Sequence, residues 1–161
     1  MQERKIIQIG FVVRDLDRTL KEFQRVMGVG PWEIYHYGPP EMTNITYRGK
    51  PSDWSADIAF SWVGDCQLEV IMPLKGPNIY EEFLAKKGDG IHHFKEWVED
   101  PLATVKEYAE KGIAVIQSGT FCGGDFFYLD TEPLLGMPLE LSKSGGRKKR
   151  PPDRRWPPDP A

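Results

Sequence analysis

Gln8-Ile-Gly-Phe-Val-Val-Arg-Asp15-Leu-Asp-Arg-Thr-Leu-Lys-Glu22 returns without a gap, 85 positions later, as His93-Phe-Lys-Glu-Trp-Val-Glu-Asp100-Pro-Leu-Ala-Thr-Val-Lys-Glu107. Valine, aspartate, threonine, lysine and glutamate coincide at 13/98, 15/100, 19/104, 21/106 and 22/107. Both copies read as a short apolar strand, an acidic cap and an amphipathic helix. Each copy also closes on a strand with one acid among apolar residues, Leu68-Glu69-Val70-Ile71 and Leu139-Glu140-Leu141. A duplicated unit whose copies each supply a polar residue early and a carboxylate late outlines a metal site built by pseudo-symmetry.

Outward from these stretches, the punctuation is regular. Asp15 caps a helix whose Leu16, Leu20, Phe23 and Met27 share a face and which Gly28 stops. Asp100, Pro101 and Gly112 do the same in the second copy. Strands are expected at Ile6–Val13, Ser55–Val63 and Cys66–Met72, with a Gly64-Asp65 hairpin, then at Ala114–Ser118, Asp125–Leu129 and Pro138–Ser142. Asn78 caps a linker helix from Ile79 to Lys87. The fold class is α+β, two βαβββ modules with a cleft between two curved mixed sheets. One domain over 1–143 comprises module 1 (5–75), the linker (76–90) and module 2 (91–143).

Strand parity selects what faces the cleft. If Ile7, Ile9 and Phe11 face the helix, Gln8 faces away from it. Glu69 and Glu140 oppose their apolar neighbours, and His93 opposes Phe94 and Val98 while His92 points the other way. Gln8, Glu69, His93 and Glu140 thereby converge on one ion, with Lys95 sharing the parity of His93. Carboxylate, amide oxygen and imidazole suit Zn, Co, Mn or Ni.

The 161 residues, 40% of them apolar, fit a single globular domain. Residues 144–161 hold six basic and two acidic side chains, a net +4, which leaves −7 on the body for a total of −3. That body offers no electrostatic case for nucleic acid, and no apolar run approaches the ~20 residues that span a bilayer. The Pro-, Gly- and Arg-rich 144–161 segment is expected to be a disordered tail. Two cysteines, Cys66 and Cys122, make no disulfide framework, and Met1-Gln-Glu-Arg-Lys5 leads straight into the first strand, so a reducing cytoplasm is expected.

Gly90-Ile-His-His93-Phe, Leu68-Glu69-Val-Ile-Met-Pro73 and Gly136-Met-Pro-Leu-Glu140-Leu resemble the glyoxalase, or vicinal oxygen chelate, superfamily over residues 5–143, and within it methylmalonyl-CoA epimerase-like proteins. The resemblance implies one divalent ion held by Gln8, Glu69, His93 and Glu140, a small-molecule carbonyl substrate and a homodimer. It also implies an epimerase or racemase that inverts a carbon next to a carbonyl through an ion-stabilised enolate, with Glu140 as one base. Asp53, counted back from Ala59-Phe60, stands where those epimerases have a catalytic acid. Gln8 departs from the histidine of such epimerases, and the set Gln, Glu, His, Glu is similar to zinc-type glyoxalase I. A small-molecule binding protein of the same fold, needing no metal, is the non-enzymatic alternative. A ring-cleaving dioxygenase, whose sites resemble two His and one Glu, fits less well. Trp32, Tyr35, Tyr47, Trp54 and Trp62 form a candidate aromatic wall suited to a bulky substrate, an acyl-CoA thioester or an isoflavanone-like ketone.

Overall fold

A computed structural model describes residues 4–143 and 150–158. The duplication is visible in its caps. Asp15 and Asp100 share nearly the same backbone angles, and their carboxylates accept from the amides of Arg18 and Ala103, both at 3.0 Å. These caps start α1 (Leu16–Met27) and α3 (Pro101–Glu110). Gly28, with φ +68°, ends α1 by donating back to Phe23 and Gln24. Leu16 and Leu20 are buried as the period demands, whereas Met27, in the last turn, is exposed.

Module 1 consists of β1 (Lys5–Val12), α1, β2 (Trp32–Tyr37), β5 (Ser55–Val63) and β6 (Cys66–Lys75). Between β2 and β5 it carries a hairpin, β3 (Met42–Tyr47) and β4 (Lys50–Pro51). After the linker helix α2 (Ile79–Lys87), module 2 repeats the plan with β7 (Gly90–Val98), α3, β8 (Val115–Phe121), β9 (Gly124–Leu129), the short α4 (Glu132–Leu135) and β10 (Leu139–Lys143). A last strand, β11 (Arg154–Trp156), follows. β1 runs parallel to β6 and β7 parallel to β10, and the two modules join through antiparallel β1 and β7. The result is one continuous mixed sheet, ordered β11-β2-β5-β6-β1-β7-β10-β9-β8-β3-β4.

That order forces curvature. β2 and β3 lie eight strand spacings apart in it, about 38 Å across a flat sheet. The chain between Tyr37 and Met42 reaches at most about 18 Å. The sheet therefore curls until its two ends approach, and Tyr37 of β2 stacks on Phe121 of β8 across the gap with centroids 3.8 Å apart. α1 packs outside on Val13, Leu68 and Val70, and α3 outside on Leu129, Leu139 and Leu141. The inside is filled by Trp54, Ile58, Ile71, Phe126 and Tyr128 together with Ile79 and Tyr80 of α2. No helix among the described residues is long and apolar enough to cross a membrane.

The segment expected to be a disordered tail behaves otherwise over 150–158; the rest of it, 144–149 and 159–161, lies outside the described residues. β11 pairs antiparallel with β2, Trp156 packs against the apolar layer beneath α1, and Arg154 pairs with Asp17 at 2.7 Å. One tryptophan and a set of ion pairs supply the tertiary contacts that its composition alone does not announce.

Candidate metal centre

Two rows of side chains cross the four central strands. Register places Gln67, Gln8, Lys95 and Glu140 in one row, and Glu69, Gly10 and His93 in the next. Equivalent residues of the two copies meet at the seam: Ile9 pairs with Phe94, so the pseudo-twofold axis passes between them, relating Gln8 to His93 and Gly10 to Lys95.

Simple parity fails at one point in each copy. Against β1, the register of β7 slips between Ile91 and His93, and that of β1 slips between Ile6 and Gln8. His92 and its counterpart Ile7 are therefore the extra residues of two symmetric β-bulges. The burial agrees, with Ile6 and Ile91 at 52% and 54% exposure followed in each copy by two buried residues. Contrary to the alternation expected from sequence, His92 turns inward, among Tyr80, Phe83 and Tyr128.

Gln8, Glu69, His93 and Glu140 are all within 3% of complete burial. His93 Nε2 lies 3.0 Å from Glu69 Oε2 and 3.1 Å from Glu140 Oε2, and one ligand atom from each of these three residues falls within 4.8 Å of the others. Gln8 Oε1 is buried with no hydrogen-bond partner among the described residues. Three buried N/O donors and an orphaned amide oxygen fit a divalent cation of the borderline class.

Each of three candidate ligands has a neighbour that orients it, as ligands of metal sites commonly do. Gln8 Nε2 donates to Gln67 Oε1 at 2.6 Å, which turns Gln8 Oε1 the other way. Nδ1 of His93 lies 3.0 Å from Nδ1 of His92. Burial, then the neighbouring His93, holds His92 well below the usual histidine range, so neutral His92 accepts from His93 Nδ1–H and leaves Nε2 for the carboxylate side. Lys95 Nζ contacts Glu140 Oε1 at 3.0 Å and is itself buried. The role of Lys95 is only half visible in sequence, where parity reaches the site but not the ion pair. Without metal, burial pulls the His93 pKa down, but hydrogen bonds to Glu140 and Glu69 outweigh it and raise it to about 9. Burial also pushes the Tyr80 and Tyr128 hydroxyls, hydrogen-bonded to each other at 2.9 Å, well up.

Asp53 does not join this group. Its carboxylate pairs with Lys75, is 63% exposed, and Lys75 stands six residues beyond Glu69 along β6, roughly 20 Å of extended strand. Counting back from β5 leads into the connection that precedes it, at the end of the strand away from the centre.

A cleft of about 810 Å³ opens in the gap between the sheet's ends, lined by Tyr35, Tyr37, Phe60, Trp62 and Phe121 and bounded by Gln67 on the side of the centre. Of the five aromatics expected as a wall, Tyr35 and Trp62 line it. Trp32 and Trp54 are fully buried core, and the Tyr47 hydroxyl pairs with Glu82. Arg150 roofs the cleft, its guanidinium 5.3 Å and 5.4 Å from the ring centres of Tyr35 and Phe121.

Among solved structures the chain is similar to the hypothetical protein BH1468 from Bacillus halodurans C-125 (20% identity, TM-score 0.66, covering 92% of this chain and 100% of that one). It is also similar to methylmalonyl-CoA epimerase from Mycobacterium tuberculosis (17%, 0.63, 86% of each chain). A Streptomyces coelicolor methylmalonyl-CoA epimerase variant in complex with 2-nitronate-propionyl-CoA aligns at 21% and 0.66, over 91% of this chain and 98% of that one. No curated protein matches the chain. The profile of one family matches residues 7–128, three quarters of the sequence, from the first strand of one module through β9 of the other: the chain belongs to the Glyoxalase/Bleomycin resistance protein/Dioxygenase superfamily.

Proposed function

We propose that this protein is a divalent-metal-dependent isomerase, an epimerase or racemase that inverts a carbon next to a carbonyl through an enolate. The observation that carries the reading is the meeting of Glu69, His93 and Glu140 in one buried N/O cluster, with the partnerless Oε1 of Gln8 buried on the strand between those of Glu69 and His93. A divalent ion held by these four supplies a Lewis acid for the substrate's carbonyl oxygen. Glu140 takes the proton from one face of the neighbouring carbon and a proton delivered to the opposite face completes the inversion, while Gln67 and His92 keep Gln8 and His93 turned inward and the surrounding tyrosines shield the site. The aromatic cleft ending at Gln67 favours a bulky carbonyl compound, an acyl-CoA thioester or an aromatic ketone.

The test is metal content beside proton exchange. About one Co, Zn, Mn or Ni per chain, lost in both Glu69→Ala and His93→Ala, is expected, together with solvent deuterium in the thioester or ketone recovered from D2O. Metal binding without exchange into either compound would turn attention to glyoxalase I, the second reading, which the glutamine at position 8 favours; turnover of a hemithioacetal decides it. If the chain takes up no ion after reconstitution, the isomerase reading falls and small-molecule binding becomes the question. The expected homodimer belongs to the same proposal and is read by sedimentation.

A further inference from the structure

The pseudo-twofold axis relates Gly10 to Lys95, and the two residues face equivalent carboxylates: Gly10 stands opposite Glu69, Lys95 opposite Glu140. One carboxylate therefore meets a residue with no side chain and the other meets an ammonium group. Lys95 is 3% exposed, with Nζ 3.0 Å from Glu140 Oε1. Among the described residues no lysine or arginine pairs with Glu69, whose ion-pair partner is His93. A buried lysine beside cation ligands is doubly unfavourable, because it gives up its own hydration and repels any ion bound nearby. For binding an ion alone, a second glycine in its place would serve better.

We infer that Lys95 is a positioning residue that makes the two carboxylates unequal, holding Glu140 by Oε1 so that only Oε2 is offered to the ion, while Glu69 carries no such tether. The inference rests on the metal centre proposed above and assigns its asymmetry to one side chain. Glu69 is the permanent ligand. Glu140 is held at one oxygen, which suits a ligand that must also take up a proton. The ammonium additionally weakens the hold of the site on its ion.

The experiment is calorimetric titration of the metal-free full-length chain with Co²⁺, alongside the visible absorption of the cobalt-loaded protein, for the wild type, Lys95→Met, Lys95→Gln and Lys95→Arg. Lys95→Met and Lys95→Gln are expected to bind Co²⁺ at least tenfold more tightly. Their bands should be weaker, as the freed Glu140 Oε1 raises the coordination number, and Lys95→Arg should restore wild-type behaviour. Either uncharged variant suffices if the other does not fold. Equal or weaker binding in the uncharged variants, or an unchanged spectrum, overturns the role of Lys95 while leaving the metal centre standing. Failure of the wild type and all variants to bind Co²⁺ or any of the other three ions overturns both.

Discussion

The imidazole of His93 occupies the space that a side chain at position 10 would need: a Cβ built on Gly10 would stand 1.9 Å from His93 Cε1. Gly10 is thus the hollow in β1 over which the ring lies on its way to Glu69. Gly10→Ala must expel the ring or spread the β1–β7 seam. Overpacking of this kind costs about 1–3 kcal/mol, and we expect that loss in thermal unfolding, with metal uptake weakened at least tenfold. An alanine variant that melts like the wild type and keeps its ion would show that the ring has room to spare.

The charge state of His93 ties the metal-free protein to pH. Its folded pKa of about 9 lies above the ordinary 6.5, so its contribution, roughly 3 kcal/mol, is fully present below pH 6.5. It is lost as pH rises from there through 9. Metal must displace the same proton, so apparent affinity should rise by up to tenfold per unit between about pH 6.5 and 9 and then level off. Denaturant melts of the metal-free chain should fall in stability over the window in which titration shows metal binding strengthen. Stability that climbs from pH 6.5 to 9 would contradict the assignment.

His92 is predicted to matter through His93. His92→Phe keeps the aromatic contacts but removes the acceptor for His93 Nδ1–H, and loss of such a support typically weakens a metal site by about 10–100-fold. Titration of His92→Phe should show a loss in that range with the fold intact by circular dichroism, and His92→Gln should recover part of it.

Arg150 closes the cleft mouth by lying over Tyr35 and Phe121 beside Cys122. In a Cys66→Ser background, where one thiol remains, Arg150→Ala should speed labelling of Cys122 by a disulfide reagent several-fold. Equal rates would mean that the arginine does not cover the mouth.

Much of this was legible in the residues. The caps at Asp15 and Asp100, the helix faces and the meeting of Glu69, His93 and Glu140 follow from period and duplication, both local properties. The bulges at Ile7 and His92 were not, because alternation assumes an unbroken ladder and only pairing with the neighbouring strand reveals the extra residue. β2 and β3 escaped for a related reason. Trp32-Glu-Ile-Tyr-His-Tyr37 and Met42-Thr-Asn-Ile-Thr-Tyr47 do alternate partly, but aromatics on both faces hide the signal. Asp53 was misplaced by counting residues where the length of β6 decides, and β11 by composition where Trp156 and Arg154 decide.

The curled sheet has a consequence for how the chain is made. Thr46 pairs with Ser118, 72 residues later, so the hairpin of the first module has no strand to bind until the second has emerged from the ribosome. A nascent N-terminal half carries an unpaired edge at Met42–Tyr47 and half of the proposed metal centre, and is open to aggregation in that interval. Folding on the ribosome should thus remain incomplete until β8 is available, with acquisition of the ion among its last events.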